Sequence, residues 1–197
     1  MTKYILNSGG LKDKTEKAKI FNLEIIKNLG NKPRILFCHF AQPRESWEEK
    51  FQLYSQRFLD SMPSDIQVEV ALAFPDKFVD QVQNSDAIII HGGDDDLLLA
   101  RLKEYNLPTL WAGKVVAGSS AGSDALVKYF WTCDWRQVKE GLGILPLKFI
   151  PHYRSDYGIN SPRGPIDWEK AYQELDNYGE KLPIHTPPEG DYVIIEQ

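Results

Sequence analysis

The pentapeptide Gly118-Ser119-Ser120-Ala121-Gly122 is the stretch whose residue types and spacing best fit a catalytic role. It matches G-x-S-x-G, a motif in which a serine stands on a sharp turn between a strand and a helix. A larger side chain at Gly118 or Gly122 would collide with the neighbouring strand or helix, so the turn requires small residues. The serine hydroxyl then lies beside the positive end of the following helix, where a developing oxyanion is stabilised. An ordinary glycine- and serine-rich loop fits the same five residues.

A nucleophilic serine needs a base that removes its proton and an acid that orients the base. The chain has four histidines. We interpret His39 and His185 as structural, because each lies within an apolar strand segment, and His91, at the end of such a strand, as a pocket wall. His152 is the preferred base, because the preceding proline restricts the backbone and fixes the position of the ring.

An oxyanion needs two backbone N–H donors at about 3 Å. Ala121 follows the serine and supplies the first candidate. Gly93 supplies the second, since a glycine lets the backbone approach a ligand closely, although Gly92-Gly93 also fits a plain turn. This chemistry requires no cofactor and no metal. The acids at positions 94–96 could bind a metal, but negative charge at a helix start explains them too.

Strand-type and helix-type segments alternate along the first two thirds of the chain. The pattern predicts an α/β protein with a parallel sheet and helices on both faces. The predicted strands are 3–6, 34–40, 66–72, 86–91 and one from residue 114, and the predicted helices are one from Asp13 or Thr15 to about residue 29, 47–59, 78–83, 94–105 and 125–130. After residue 130 the pattern is irregular, with a helix at 167–178 and short strands near residues 184 and 192–195.

Three glycine-containing turns follow predicted strands, at residues 8–10, 91–93 and 118–120. Ligands of open α/β sheets bind outside the carboxyl ends of the strands. We therefore expect these three turns to share one crevice.

Composition excludes several other classes of function. A length of 197 residues favours one domain, 1–197, and a net charge of -5 without a basic stripe argues against nucleic-acid binding. No apolar run approaches the ~20 residues that span a bilayer, and the N-terminus shows no signal-peptide pattern. We expect a cytoplasmic protein in which both cysteines are buried and reduced.

Beyond the pentapeptide, the chain resembles the peptidase E family, bacterial aspartyl dipeptidases related to cyanophycinases. Six separated motifs carry the resemblance in order and cover nearly the whole chain: 37–41 with Trp47, 88–94, 118–122, 132–134, 145–147 with 151–153, and 188–192. The resemblance implies a three-layer α/β sandwich like that of class I glutamine amidotransferases, a flavodoxin-like fold, with serine in place of cysteine.

The resemblance also implies roles for single residues. Ser120 would be the nucleophile and His152 the general base and then acid. Either Asp134 or Glu189 would be the third member of the catalytic triad and would orient His152. Gly93 would donate a hydrogen bond to the oxyanion. The implied activity is hydrolysis of short peptides, including Asp-X dipeptides, through an acyl-enzyme by a monomer or homodimer. One alternative is that the protein hydrolyses another small amide or an isopeptide bond on the same scaffold. The other is that it is a catalytically silent homologue that only binds a ligand.

The substrate-binding residues depart from the family pattern. Asp94 stands where the family usually has asparagine, and Ser119 replaces a tryptophan or threonine. Arg154 and Arg163 stand near the place of the family's arginine-bearing stretch, where they would hold an acidic side chain by bidentate pairing. The acids at 94–96 would oppose such a substrate and favour a free amino group.

Overall fold

The computed structural model describes residues 1–11 and 15–197. Of the two candidate caps for the first helix, Asp13 lies outside the described residues. Thr15 is the N-cap, and its side chain accepts a hydrogen bond from the N–H of Ala18. A hydroxyl in this position satisfies one of the N–H groups that the first helical turn leaves unpaired.

Helices and strands alternate through most of the described chain. In order the elements are β1 (Lys3–Asn7), α1 (Glu16–Ile26), β2 (Arg34–Cys38), α2 (Trp47–Leu59), β3 (Glu69–Leu72), α3 (Phe78–Gln83), β4 (Ala87–Ile90), α4 (Asp95–Leu102), α5 (Leu107–Leu110), β5 (Val115–Ser119), α6 (Ala121–Asp124), β6 (Val127–Thr132), β7 (Gln137–Glu140), β8 (Leu145–Phe149), α7 (Trp168–Asn177), β9 (Ile184–His185) and β10 (Tyr192–Glu196).

Six strands form the main sheet, in the order β10-β1-β5-β4-β2-β3. All neighbours are parallel except β10, which runs antiparallel to β1. The α/β class and the mostly parallel sheet are thereby confirmed. Because β1, β5, β4 and β2 are adjacent and parallel, the turns that follow them meet at one edge of the sheet.

The central strands are buried on both faces, as their continuous apolar sequences predict. Ile35, Phe37 and Ile89 pack with α1 and α2 on one face. Leu36 and Ile90 pack with α3, α4 and α5 on the other. The alternation of side chains along each strand thus produces two hydrophobic cores, one on either side of the sheet.

The prediction of a helix over 125–130 was wrong. The helix after the pentapeptide, α6, ends at Asp124, and β6 begins at Val127. The residues of β6 are mainly β-branched or aromatic, which favours a strand, and β6 pairs with β7 and β8. Together with β9 these strands form a second, four-stranded sheet that the irregular pattern after residue 130 does not predict.

No helix of the described chain is long and apolar enough to cross a membrane.

Two glycines allow the main chain to turn sharply between β5 and α6. A Cβ at Gly118 would lie 2.5 Å from the carbonyl oxygen of Gly122, and a Cβ at Gly122 would lie 2.1 Å from the carbonyl oxygen of Ile90. Both distances are far inside van der Waals contact, and the nearest atoms are backbone. The expected collision at these positions is therefore confirmed, and the turn is in direct contact with β4.

We expect Gly122→Ala to destabilise the protein by more than about 3 kcal/mol, since backbone has to move to admit the methyl group. Helix propensity alone predicts the opposite sign, because alanine favours a helix by about 1 kcal/mol over glycine. Urea unfolding measures the change. Gly30→Ala is the control: its Cβ meets nothing within 4 Å, and only its positive φ of 81° opposes the substitution. A Gly122→Ala protein as stable as the Gly30→Ala protein would contradict the close contact.

Candidate active site

Ser120 stands between β5 and α6 with φ 52° and ψ -119°. A positive φ is unfavourable for a residue with a side chain, by an amount on the order of 1–3 kcal/mol. The carboxyl end of β1 holds the strained residue in place. The Ser120 N–H donates to the carbonyl oxygen of Asn7 at 3.0 Å, and the Ser123 hydroxyl donates to the same oxygen at 2.8 Å.

His152 follows β8 and also has a positive φ, 55°. Its backbone N–H donates to Ser8, with the hydroxyl oxygen at 2.7 Å and the carbonyl oxygen at 3.1 Å. Gly9 leaves room for the ring, because a Cβ there would lie 2.4 Å from the imidazole. The loop after β1 thus fixes both the backbone and the ring of His152.

The imidazole of His152 lies between a hydroxyl and a carboxylate. Nε2 is 3.0 Å from Ser120 Oγ, and Nδ1 is 2.7 Å from Glu189 Oε1. An ionised carboxylate can only accept a hydrogen bond, which assigns the ring proton to Nδ1 and leaves Nε2 free to accept from the serine. This is the arrangement in which an imidazole can remove a serine proton.

Glu189, and not Asp134, lies beside His152. The loop after β6 leaves Asp134 exposed, and its Oδ1 accepts from the Tyr157 hydroxyl at 2.8 Å. The Tyr157 ring stacks on the His152 ring, with centroids 4.0 Å apart and planes 18° apart. Asp134 therefore contacts the imidazole through Tyr157. Its negative charge raises the pKa of His152 as a smaller effect beside that of Glu189.

Burial lowers the pKa of His152 from its ordinary value, and the hydrogen bond and negative charge of Glu189 oppose that shift. The side chain is only 7% exposed. With its pKa below the usual value, His152 is neutral at pH 7 and available as a proton acceptor.

Gly92 adjoins both candidate oxyanion donors, since it precedes Gly93 in the chain and lies close to the Ala121 nitrogen. A Cβ on Gly92 would lie 3.1 Å from Ser120 Cβ and 3.5 Å from the Ala121 nitrogen, so β4 and the start of α6 meet here. Gln42 supports the neighbouring turn, as its side-chain amide donates to the Gly92 carbonyl at 2.5 Å. Within residues 1–11 and 15–197, neither the Ala121 N–H nor the Gly93 N–H has a hydrogen-bond partner.

Of the four residues predicted to bind substrate, only Ser119 lines the cleft beside Ser120. Asp94 caps α4, where its side chain accepts from the Leu97 N–H at 2.9 Å. Arg154 pairs with Glu169, and Arg163 donates to the backbone carbonyl of Asp134. Both arginines thus have partners outside the cleft.

The acids at positions 94–96 bring three carboxylate oxygens within 4.8 Å of one another. Asp94 neutralises part of the helix N-terminus, and Asp95 and Asp96 both pair with Lys139, at 2.8 and 2.7 Å. Positive charge from the chain itself therefore accounts for this cluster.

The three glycine-containing turns do line one cleft, whose volume is about 1120 Å³. It extends from Ser120 and His152 along the α1 and α2 face of the main sheet. Sequence reasoning missed Gln42 and Tyr157. The first resembles any loop residue, and the second lies in the irregular segment after residue 130.

Residues 4–197 match the sequence pattern of Peptidase family S51. The chain belongs to peptidase family S51. It is therefore a peptidase, a hydrolase that acts on peptide bonds, and the resemblance to peptidase E is confirmed. Comparison of the sequence with curated proteins gave no match.

Two solved structures share the fold of this peptidase. A peptidase from an acI-B1 actinobacterium has 22% sequence identity and a TM-score of 0.66 over 99% of this chain and 83% of the other. A candidate peptidase E from Listeria monocytogenes EGD-e has 16% identity and a TM-score of 0.66 over 99% of this chain and 94% of the other.

Reaction of Ser120 with a fluorophosphonate is expected to slow as the pH falls through the pKa of His152, below its ordinary value of 6.5. In Glu189→Gln the midpoint should move to lower pH, because an anion that stabilises the imidazolium is lost. The maximal rate should also fall, because a neutral amide oxygen accepts from Nδ1 more weakly than a carboxylate and does not balance the imidazolium charge. Labelling rates measured from pH 4 to 9 test both effects.

Asp134→Asn is the matched control for Glu189→Gln, as it removes the other acid near the imidazole. We expect a smaller shift of the midpoint, since Asp134 acts on His152 from behind Tyr157. A larger effect of Asp134→Asn than of Glu189→Gln would show that the wrong carboxylate has been assigned to the ring.

Proposed function

We propose that the protein is a serine peptidase that hydrolyses short peptides through an acyl-enzyme. The observation that carries the proposal is the continuous chain of contacts from Ser120 Oγ to His152 Nε2 at 3.0 Å and from His152 Nδ1 to Glu189 Oε1 at 2.7 Å. The dipeptide-sized substrate rests on the resemblance to peptidase E.

In the first half of the reaction, Ser120 Oγ attacks the carbonyl carbon of the scissile bond while His152 Nε2 takes the hydroxyl proton. Glu189 stabilises the imidazolium that forms. The carbonyl oxygen becomes an oxyanion, to which the N–H groups of Ala121 and Gly93 donate. The imidazolium then gives its proton to the leaving amine, the C–N bond breaks, and the acyl group remains on Ser120.

In the second half, water replaces the amine. His152 Nε2 takes a proton from the water as its oxygen attacks the ester carbonyl. The imidazolium returns a proton to Ser120 Oγ as the ester bond breaks, which frees the carboxylic acid product and regenerates the enzyme.

Specificity for an N-terminal aspartate has no support from the placement of charges. Arg154 and Arg163 have partners outside the cleft. The charged residues that line the described cleft balance one another: Lys19, Lys50 and Arg57 against Glu16, Glu49 and Asp60. The same machinery would act on another small amide if dipeptides were poor substrates.

Hydrolysis of a dipeptide panel by the wild-type protein and by Ser120→Ala tests the proposal. We expect Ser120→Ala to lower kcat/KM by at least about 10³-fold, because the attacking oxygen is removed. Ser64→Ala removes a hydroxyl from an exposed turn and should leave activity unchanged. Activity in Ser120→Ala close to that of Ser64→Ala would refute the assigned nucleophile.

A further inference from the structure

Four rings line one part of the cleft, and we name Phe37, His39, Tyr54 and His91 the ring pocket. The His39 and His91 rings are stacked, with centroids 4.4 Å apart. Phe37 stacks on His91 at 5.6 Å, and Tyr54 lies 4.6 Å from His91 at a tilt of 32°. The two histidines thus belong to an aromatic wall that the proposed reaction does not use.

Three nitrogen atoms of this wall are buried without a hydrogen-bond partner among the described residues: Nδ1 and Nε2 of His39, and Nε2 of His91. Leaving a buried donor or acceptor unpaired costs about 1–3 kcal/mol, and buried polar groups are nearly always paired. His39 is fully buried, whereas His91 is half-buried and borders the open cleft. The nitrogens themselves have almost no exposed surface, so a ligand group that enters beside His91 pairs with them only once the rings rotate.

Both imidazoles are uncharged at neutral pH. Burial, and secondly the positive charge of Lys50, lower the pKa of His39 to about 4. Burial, His39 and Lys50 lower the pKa of His91 well below its ordinary value. A neutral imidazole offers one donor and one acceptor. A carboxamide offers both as well and can stack flat on a ring, whereas a carboxylate offers acceptors only. An aromatic side chain would stack in the same place.

The order of the strands places the ring pocket on one side of Ser120 and His152 on the other. Ser120 follows β5. The loop after β1, on one side of β5, holds His152, while β4 and β2 on the other side end at His91 and His39. The leaving amine has to lie near His152, which protonates it. The acyl part of the substrate then extends towards Gly92 and the ring pocket.

We propose that the ring pocket binds the side chain of the residue whose carbonyl Ser120 attacks, and that it selects a flat, uncharged side chain, either aromatic or carboxamide. This proposal rests on the proposed peptidase function, because that function sets the position of the substrate in the cleft. The proposed preference is for a planar neutral side chain, instead of the acidic side chain that the resemblance to peptidase E implies.

Calorimetric titration of the Ser120→Ala protein with four dipeptides tests the selection without turnover. The peptides are Phe-Ala, Asn-Ala, Leu-Ala and Asp-Ala at pH 7.5. We expect at least one planar peptide to bind about tenfold more tightly than both Leu-Ala and Asp-Ala, as one added stacking or paired contact permits. Tightest binding of Asp-Ala or Leu-Ala, equal binding of all four, or binding of none would overturn the proposal.

His91→Leu in the Ser120→Ala background tests the ring pocket itself. It should remove most of the preference for the planar peptide, while His185→Leu, which replaces a histidine in β9 away from the cleft, should retain it. Retained preference in His91→Leu would overturn the assignment. If the His91→Leu protein does not fold, the titration of the Ser120→Ala protein with the four dipeptides still tests the proposed preference.

The two proposals fail in different ways. Planar peptides that bind the Ser120→Ala protein but are not hydrolysed by wild type would refute the peptidase proposal and leave the pocket assignment intact. Hydrolysis of all four dipeptides at similar kcat/KM, with no preference in binding, would refute the pocket assignment alone.

Discussion

The carboxyl end of β1 contacts all three members of the Ser120, His152 and Glu189 arrangement. The carbonyl oxygen of Asn7 accepts from the Ser120 N–H, and Ser8 accepts from the His152 N–H. The same loop also contacts the turn that carries Glu189, because the Gly9 carbonyl oxygen accepts a hydrogen bond from the Gly190 N–H at 2.8 Å. These residues come from distant parts of the chain, and three consecutive residues, Asn7 to Gly9, hold them together. A site held in this way is preorganised, because the backbone and not the long side chains sets the distances.

Burial and charge act on His152 in opposite directions. Packing under Tyr157 and against Gly9 removes the ring from water and favours its neutral form, which is the form that accepts a proton. Glu189 favours the charged form, which develops once the proton has arrived. The carboxylate is one third exposed, so water moderates its effect. Tyr157 adds a second constraint: burial and its hydrogen bond to Asp134 raise its pKa and keep its hydroxyl a donor. Asp134 thus fixes the ring that covers His152.

The sequence is sufficient to predict the sheet and the tight turn that carries Ser120, because each depends on local patterns. Continuous apolar segments such as Ile88–Ile90 indicate strands buried on both faces, and the glycines at 118 and 122 indicate a turn with no room for side chains. The single-turn helix α6 was not predictable in length, since Ala125 and Leu126 suit a helix. Pairing with β7 and β8, which are distant contacts, decides that residues 127–132 form a strand.

The acid and the specificity residues depend on where long loops lie, and local patterns do not contain that information. Asp134 and Glu189 fit the family pattern equally well, and only the position of the loop after β1 distinguishes them. Arg154 follows His152 closely in sequence, yet its side chain pairs with Glu169 outside the cleft. The partners of Gln42 and Tyr157 are likewise set by tertiary contacts.

The hydrogen bond between His152 Nδ1–H and Glu189 is the feature on which the account depends most, and proton NMR observes it directly. A far-downfield imidazole N–H resonance should be present in the wild-type protein and in Asp134→Asn, and absent from Glu189→Gln and His152→Ala. Loss of the resonance in Asp134→Asn with its retention in Glu189→Gln would contradict the account and give the orienting role to the other acid.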